Sequence, residues 1–183
     1  MPLKSQLPRL PDEWYQGNAF VLWTYTMERR QTGWLDDTFH ARFREVLLHA
    51  LVRYSLVAPV YCLMPDHLHW VGIGTKPSSD QRKATAFLRR FLTPHLGPAQ
   101  WQRQPHDHVL RGEERVRGAF QSACHYVLAN PERAGHVAAA AEWPFSGSLI
   151  PGYPALSPFA EDFWSRFWMV TNDKLNAGAA KSM

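Results

Sequence analysis

The sequence predicts an α+β fold, a ferredoxin-like βαββαβ sandwich in which helices cover an antiparallel sheet. Three observations predict it. Two strand-like apolar runs meet at a short turn, amphipathic helical segments lie on either side of them, and further strand-like segments open and close the pattern. An extra C-terminal helix and a C-terminal tail follow. The first two helices leave one sheet face open, and the extra helix can cover it.

The first half of the pattern contains three strands and one helix. Residues 18–28 are rich in β-branched and aromatic residues, which favours a strand. A helix follows an Asp or Thr cap at residues 36–38. Its apolar positions recur with helical spacing: Phe39, Phe43, Val46, Leu47, Ala50, Leu51 and Tyr54. Residues 57–64 and 66–74 are predicted to pair as a hairpin, since Pro65 and Asp66 supply turn chemistry.

The second half repeats the alternation of helix and strand. Residues 78–97 begin with cap residues and end at a Pro and a Gly, which predicts a second helix. Its apolar face consists of Ala84, Phe87, Leu88, Phe91 and Leu92. Residues 104–111 are the predicted fourth strand. Residues 112–135 are the predicted third helix, with acidic residues in its first turn and Pro131 at its exit.

Length and composition predict one domain and favour a polyanionic partner. The chain has 183 residues, 45% of them hydrophobic, which suits one domain over residues 1–150 and a partly helical tail over 151–183. Lys and Arg number 20 against 16 Asp and Glu, giving a net charge of +4. Arginine supplies most of the positive charge, and its planar guanidinium suits phosphate oxygens and stacks on bases.

Cysteine content and hydropathy point to the cytoplasm. The chain has two cysteines, Cys62 and Cys124, and no C-x-x-C pair, so the sequence indicates neither a disulfide framework nor a cysteine zinc site. The first residues carry prolines and charges where a signal peptide needs an apolar segment, and no run approaches about 18 apolar residues. We therefore expect a cytoplasmic protein with no membrane partner.

Two histidines in the hairpin are candidate metal ligands. His67 and His69 stand two residues apart in a predicted strand, so both imidazoles lie on one face. Satisfied polar residues beside a core would give the same pattern, and so would a bidentate metal clamp. The residues His106 and His108 have the same spacing, with Asp107 between them on the opposite face, so spacing alone does not separate the two pairs.

The third helix carries two more candidates. Tyr126 and Asn130 are separated by four residues and so lie along one edge of a helix. If the helix crosses the sheet near the second hairpin strand, both side chains can face His67 and His69. Each also has an ordinary interpretation: a surface tyrosine whose hydroxyl reaches water, and an Asn before Pro that ends a helix.

These motifs together resemble a known family. The segment "YCLMPDHLHWVG" is similar to the histidine-hydrophobe-histidine signature of single-tyrosine transposases. The segments "HYVLANPERAGHV" and "WPFSG" resemble the Y-x-x-x-N-P-x-R-A-G and W-P-x-S blocks of the REP-associated tyrosine transposases, and "WQRQPHDHVLRGEE" also fits. The resemblance runs from about residue 18 to residue 150. Departures from the usual pattern are Asp66, Trp70, Glu132 and Phe145.

The resemblance implies a chemistry and a cofactor. His67 and His69, with Asn130 as a third ligand, would hold a divalent cation, Mg²⁺ or Mn²⁺. Tyr126, on the extra C-terminal helix, would be the nucleophile that cleaves single-stranded DNA and forms a covalent 5′-phosphotyrosine. His106, Asp107 and His108 then become candidates for supporting the site or for contacting DNA.

The implied partner is single-stranded DNA with a hairpin. The cations available for phosphate contacts are Arg82, Lys83, Arg89, Arg90, Arg103, Arg111, Arg115, Arg117 and Arg133. The sequence does not rank these residues for reading bases. The family's branches include monomers and dimers, so the resemblance leaves the oligomeric state open.

Three functions remain compatible with the sequence. The first is a DNA strand transferase or nickase that acts through Tyr126. The second is a non-catalytic DNA-hairpin binder with a regulatory role. The third is a metal-dependent hydrolase or oxygenase, and it is disfavoured because no carboxylate stands at the spacing of a facial triad. Intact His67, His69 and Tyr126 favour the first.

Overall fold

A computed structural model of the chain describes residues 10–153 and 156–179. The strands are β1 (Phe20–Thr26), β2 (Leu56–Met64), β3 (His67–Gly74), β4 (His106–Leu110) and β5 (Ser146–Leu149). The α-helices are α1 (Asp37–Arg53), α2 (Gln81–Leu92), α3 (Arg117–Leu128), α4 (Asn130–Arg133) and α5 (Phe163–Ala179). The order of the first six long elements is the predicted β-α-β-β-α-β.

The strands form one antiparallel sheet in the order β4-β1-β3-β2-β5. The first four strands in this order have the ferredoxin-like arrangement, which confirms the predicted fold class. The short strand β5 pairs with β2 and extends the sheet at its far edge. This fifth strand is an addition to the predicted pattern.

Helices α1 and α2 cover one face of the sheet. Asp36 begins α1 by accepting a hydrogen bond from the backbone of Phe39 at 2.7 Å, as the sequence predicts. The core beneath these helices contains Phe43, Trp23 and Trp70, each fully buried. Trp70, one of the departures from the family pattern, therefore packs away from the opposite face, where the candidate site lies.

Helices α3 and α5 cover the other face, which is the cover that the fold class requires. Phe120 and Cys124 of α3 share a core with Val60 and Ile73 of the sheet. The predicted tail packs into this same core through buried aromatic residues: Phe163, Phe167 and Trp168. Part of the tail lies outside the described residues, and its division from the domain at residue 150 stays a prediction.

The prediction for the start of the third helix is wrong. Residues 112–115 form a separate 3₁₀ turn, Val116 is extended with ψ of 137°, and α3 begins at Arg117. Glu114 explains the break, because its carboxylate accepts a hydrogen bond from the backbone of Arg111 at 3.0 Å and so stabilises an independent turn. The acidic residues therefore lie before α3 and not in its first turn.

Two further predictions concern the second helix and the cysteines. Phe91, assigned to the apolar face of α2, is 44% exposed, because the buried face consists of Ala84, Leu88 and Leu92 instead.

Cys62 and Cys124 are free thiols. Burial raises the pKa of the Cys62 thiol to about 11 and raises that of Cys124 as well. Among the described residues, no helix has the length and apolar character needed to cross a bilayer.

Candidate active site

Two histidines of β3 project from the sheet face that α3 and α5 cover. Along β3, Trp70 lies in the core under α1 and α2, whereas Val71 lies in the core under α3 and α5. Because side chains alternate along a strand, His67 and His69 lie on the same face as Val71. Their ring centroids are 4.8 Å apart, and the planes are nearly perpendicular at 84°.

One nitrogen of each imidazole is held by a neighbouring side chain. Nδ1 of His67 lies 2.6 Å from a carboxylate oxygen of Asp66, whose other oxygen accepts a hydrogen bond from Arg30 at 3.0 Å. Nδ1 of His69 lies 2.8 Å from the hydroxyl of Thr24, the residue opposite it in β1. A carboxylate only accepts hydrogen bonds, so Nδ1 of His67 carries a proton, and in the neutral ring Nε2 then carries the lone pair.

The surroundings of the pair favour a neutral His69 and an ionised Asp66. Burial lowers the pKa of His69 to about 4, and the charges of His67 and Arg133 add to that effect. Burial by itself raises the pKa of the Asp66 carboxyl, but the hydrogen bonds and charges of His67 and Arg30 outweigh it and lower the pKa. A neutral imidazole is the form that binds a metal ion.

Helix α3 passes over the part of the sheet that holds these histidines. Cys62 of β2 lies opposite His69 in the strand register and shares a core with Cys124 and Val127 of α3. Tyr126 lies between these two core residues and is 61% exposed, so its phenol points outward from the helix. The exposed tyrosine and the half-buried imidazoles therefore belong to the same end of the same face.

Arg133, in the short helix α4, connects the residues of this end. Its guanidinium carbon lies 3.7 Å from the centroid of the Tyr126 ring, and Nη1 donates a hydrogen bond to the Tyr126 carbonyl at 3.1 Å. Nη2 donates to the amide oxygen of Asn130 at 2.8 Å. The amide nitrogen of Asn130 donates to the carbonyl of Val127 at 2.9 Å. A single cation thus contacts both helix-borne candidates and acts electrostatically on His69.

The four predicted residues are brought to one face without being joined. Among the described residues, no hydrogen bond connects the phenol of Tyr126 or the amide of Asn130 to the imidazoles of His67 or His69. The catalytic role of Tyr126 and the metal-ligand role of Asn130 stay predictions.

The imidazole pair fits a divalent cation by its donor chemistry. Within residues 10–153 and 156–179 neither Nε2 atom has a hydrogen-bond partner, while both Nδ1 atoms are oriented by hydrogen bonds, as is typical of metal-ligating histidines. No three His, Cys, Asp or Glu side chains in these ranges gather at one point. A cation here would need oxygen ligands from an amide, water or substrate beside the two nitrogens.

The second histidine pair lies on the same face at the edge of the sheet. His106 stands opposite Thr24, as His69 does from the other side, so the two pairs flank β1. His106 and His108 are exposed, and Nε2 of His108 lies 2.7 Å from the carboxylate of Glu114. Asp107 points to the opposite face, as the alternation predicts, and accepts a hydrogen bond from the hydroxyl of Tyr15 at 2.5 Å.

The predicted DNA-contacting cations are spread over both faces of the fold. Arg82, Lys83, Arg89 and Arg90 lie on α2, Arg103 and Arg111 flank β4, Arg115 lies in the 3₁₀ turn, Arg117 begins α3, and Arg133 ends α4. Several already contact the protein: Arg82 pairs with Asp12, Lys83 with Asp80 at 3.2 Å, and Arg117 lies 5.2 Å over the ring of Trp168. They do not form one continuous patch around Tyr126.

Sequence reasoning missed Thr24 and Arg30. Thr24 could not be found from local pattern, because its contact with His69 depends on the pairing of two distant strands. Arg30 did leave a signal, since two consecutive arginines follow β1. Arg29 and Arg30 adopt positive φ angles of 53° and 56°, a strained conformation that costs on the order of 1–3 kcal/mol per residue. The ion pair of Arg30 with Asp66 places this strained turn beside the histidines.

Comparison with known proteins gives two informative similarities. No protein-family profile matches the sequence. The chain is 23% identical over 146 residues to a protein of Haemophilus influenzae named "Putative REP-associated tyrosine transposase", covering 70% of this chain and 78% of that protein. The solved structure of a REP-associated tyrosine transposase bound to a REP hairpin matches with a TM-score of 0.63 at 19% identity, covering 78% of this chain and 81% of the other.

The two similarities agree with the motifs. The curated relative carries the family's name, and the solved structure has the same fold. The predicted resemblance to the REP-associated tyrosine transposases is therefore confirmed, in sequence by the first comparison and in fold by the second.

Proposed function

We propose that this chain is a single-strand DNA endonuclease and strand transferase that acts on hairpin-forming DNA through a covalent 5′-phosphotyrosine on Tyr126. One observation carries the proposal. His67 and His69, whose Nε2 atoms have no hydrogen-bond partner in the described part of the chain, lie on the face over which α3 carries an exposed tyrosine. A metal-binding pair beside an accessible phenol is the donor set that phosphodiester cleavage by a nucleophilic side chain needs.

The histidines fit a cation-binding role. His67 and His69 would hold a divalent ion, Mn²⁺ or Mg²⁺, and the amide oxygen of Asn130 would be free to join them if Arg133 released it. When bound, such an ion would supply charge stabilisation at the scissile phosphate. Asp66 and Thr24 keep the two rings oriented whether or not the ion is present.

Tyr126 would perform the covalent step. Its phenolic oxygen forms a bond to phosphorus, the bond from phosphorus to the 3′ oxygen breaks, and that oxygen leaves with the electron pair. The phenol gives its proton to solvent, and the released 3′ oxygen takes one up. Because the phosphotyrosine conserves the energy of the broken linkage, a 3′-hydroxyl can reverse the step and join strands without a nucleotide cofactor.

Arg133 would assist this step. Its guanidinium lies over the Tyr126 ring, and if it exchanged its hydrogen bonds to the Tyr126 carbonyl and to Asn130 for bonds to an incoming phosphate, it would stabilise negative charge beside the phenol.

Hairpin DNA is the proposed partner. The protein of similar fold is bound to a REP hairpin. The net charge of +4 and the arginine-rich surface of this chain are suited to a nucleic acid, and its affinity should fall as salt rises.

The decisive experiment tests Tyr126→Phe for covalent attachment to DNA. The wild-type chain, incubated with Mn²⁺ and labelled single-stranded DNA containing a hairpin, should give a protein–DNA adduct on a denaturing gel. Tyr126→Phe should give none while its affinity for the hairpin changes less than about threefold, because only one hydroxyl is removed.

A matched control is available in Tyr153, which is also exposed, at 45%. Tyr153→Phe should leave adduct formation intact. An adduct that persists in Tyr126→Phe would show that another residue is the nucleophile. A wild-type chain that binds the hairpin tightly yet forms no adduct would support the regulatory alternative instead.

A further inference from the structure

An exposed tryptophan stands outward from a firmly anchored turn near the start of the described chain. In the 3₁₀ turn Asp12–Tyr15, Tyr15 is fully buried and donates a hydrogen bond to Asp107 at 2.5 Å. Gly17 follows with φ of 61° and donates to the carbonyl of Ser79 at 3.0 Å. These contacts fix the turn from both sides, so its neighbouring side chain, Trp14, is held outward with 41% of its surface exposed.

A cavity of about 260 Å³ opens beside this indole. Its lining includes Trp14, Gln16, Asn18, Arg111 and Arg115. Arg111 lies 5.1 Å over the indole ring, and Arg115 donates a hydrogen bond to the carbonyl of Asn18 at 2.8 Å. The cavity thus combines a flat aromatic wall, hydrogen-bonding amides and two cations.

A second, larger cavity of about 490 Å³ shares the lining residue Gln16 with this one. Its cationic lining consists of Arg82, Lys83, Arg89 and Arg103. Six of the nine cations predicted to contact DNA therefore line these two neighbouring cavities. The pair of cavities follows the edge strand β4, from Pro105 just before it to Leu110 at its end.

The smaller cavity is remote from the candidate active site. Asn18 and Ala19, at the start of β1, line it, whereas His67 stands opposite Thr26 at the end of β1. Seven residues of strand at a rise of about 3.3 Å separate the two ends by about 20 Å. A ligand bound beside Trp14 is therefore not the phosphate that Tyr126 would attack.

We infer that the cavity beside Trp14 binds an unpaired nucleotide of single-stranded DNA. The base stacks on the indole, Arg111 and Arg115 contact the flanking phosphates, and the strand continues past Gln16 into the wider basic cavity. The inference rests on the proposed function for the choice of DNA as the nucleic acid. A stacking platform beside a cationic groove is the arrangement that single-strand binding uses.

The size and charge of the two cavities favour this ligand over others. A cavity of about 260 Å³ suits one base and excludes a duplex. The acidic residue in its lining, Glu13, can accept a hydrogen bond from an N–H group of a base. In the wider cavity Asp12 and Asp80 offset the charges of Arg82 and Lys83, and Arg89 and Arg103 leave the lining with a net positive charge that suits phosphates.

The test measures binding of labelled oligo-dT of about twelve nucleotides by fluorescence anisotropy, with a duplex of equal length as the second probe. Every protein carries Tyr126→Phe so that no cleavage intervenes. Trp14→Ala should weaken oligo-dT binding about tenfold and leave duplex binding within about twofold, because one stacked base is lost. Trp14→Phe should recover most of the affinity, because it keeps an aromatic face.

The matched control is Phe91, which is exposed to a similar extent, 44%, and has Arg90 at 5.6 Å over its ring but lines neither cavity. Phe91→Ala should leave oligo-dT binding unchanged. Arg111→Gln should lower the slope of log affinity against log salt by about 0.7, the value of one single-strand phosphate contact.

Two outcomes overturn the inference: a Trp14→Ala effect no larger than that of Phe91→Ala, or an equal loss on duplex and single strand. Thermal melting of each variant shows whether a loss reflects unfolding, and Arg111→Gln tests the cavity without changing the aromatic anchor. The proposed function is tested separately, because an absent Tyr126 adduct leaves the oligo-dT result unaffected.

Discussion

The two histidine pairs share their spacing and their sheet face, yet they occupy different environments. His67 and His69 lie on an inner strand, half-buried, with each Nδ1 held by a neighbouring side chain. His106 and His108 lie on the edge strand, exposed, and the Nε2 of His108 is engaged by Glu114 at 2.7 Å. Among the described residues, the Nε2 atoms of the inner pair have no hydrogen-bond partner, whereas the Nε2 atom of His108 in the outer pair is engaged by the Glu114 carboxylate.

This difference shows what spacing does and does not determine. Alternation along a strand places both pairs on one face of the sheet, as the sequence predicts. What makes a pair suitable for a metal ion is the surrounding structure: burial that favours the neutral form, and hydrogen bonds that orient the rings. The inner position supplies both, because β1 offers Thr24 on one side and the hairpin turn offers Asp66 on the other.

Replacing a histidine of the inner pair should have the largest effect on adduct formation. His69→Ala should lower Mn²⁺-dependent adduct formation by more than about a hundredfold, because the proposed function makes His69 a direct metal ligand. His106→Ala combined with His108→Ala should lower it by less than about threefold. Single-turnover adduct formation at saturating DNA compares the two variants directly.

Equal losses in the two variants would contradict this contrast. They would show that the edge histidines act in the chemistry, and that the difference in burial has no functional meaning. Chain stability must be measured alongside, since His69 is half-buried and its loss leaves a space beside α3.

Removing the Thr24 hydroxyl should have the next largest effect. Thr24→Val keeps the shape of the side chain but removes the hydrogen bond that orients His69. We expect the Mn²⁺ concentration that gives half-maximal adduct to rise about tenfold, in line with the loss of other groups that orient metal ligands. A purely structural role would lower protein stability and leave this metal dependence unchanged.

Thr26→Val is the matched control for this variant. Thr26 is two residues further along β1 on the same face and stands opposite His67, whose Nδ1 is held by Asp66 instead. The metal dependence of Thr26→Val should therefore match that of the wild type. A similar shift in both variants would mean that the strand as a whole, and not the Thr24 hydroxyl, sets the metal affinity.

Much of the fold could be predicted because local pattern and global structure agree. Asp36 caps α1 where the sequence places a cap, and the apolar spacing of α1 becomes its buried face. The strand β5 could not be predicted, because its sequence "SGSL" has little strand propensity and becomes a strand only by pairing with β2. The break before α3 escaped prediction because the side chain of Glu114 caps a separate turn.

The residues of the candidate site likewise divide into those that the sequence predicts and those that only the structure reveals. His67, His69, Tyr126 and Asn130 were found from spacing and resemblance, and the alternation of β3 explains why the two histidines share a face. Thr24 lies 45 residues from its partner His69, so only the pairing of strands brings the two together. Trp14 gave no signal, because its outward position follows from the buried neighbour Tyr15 and not from its own surroundings in sequence.

The smallest expected effect concerns the contact between Glu114 and His108 at the edge of the sheet. The backbone N–H of Arg111 and the imidazole of His108 stabilise the ionised carboxylate and lower the pKa of Glu114. Its contribution to stability is therefore present above the ordinary pKa of glutamate and is lost as pH falls through the lowered value. Because the pair is exposed, the contribution should be less than about 1 kcal/mol.

Glu114→Gln tests this expectation, because the neutral amide still accepts the Arg111 hydrogen bond and only the charge is lost. Thermal melts should show a small destabilisation near neutral pH that disappears in acid, where the wild-type carboxyl is protonated too. Glu113→Gln removes the adjacent exposed charge and should show no such convergence. If Glu114→Gln also left adduct formation unchanged, the contact between Glu114 and His108 would be a structural element of the surface, in contrast to the inner histidine pair. A large loss of adduct would instead show that the edge histidines and the inner histidines act in one site.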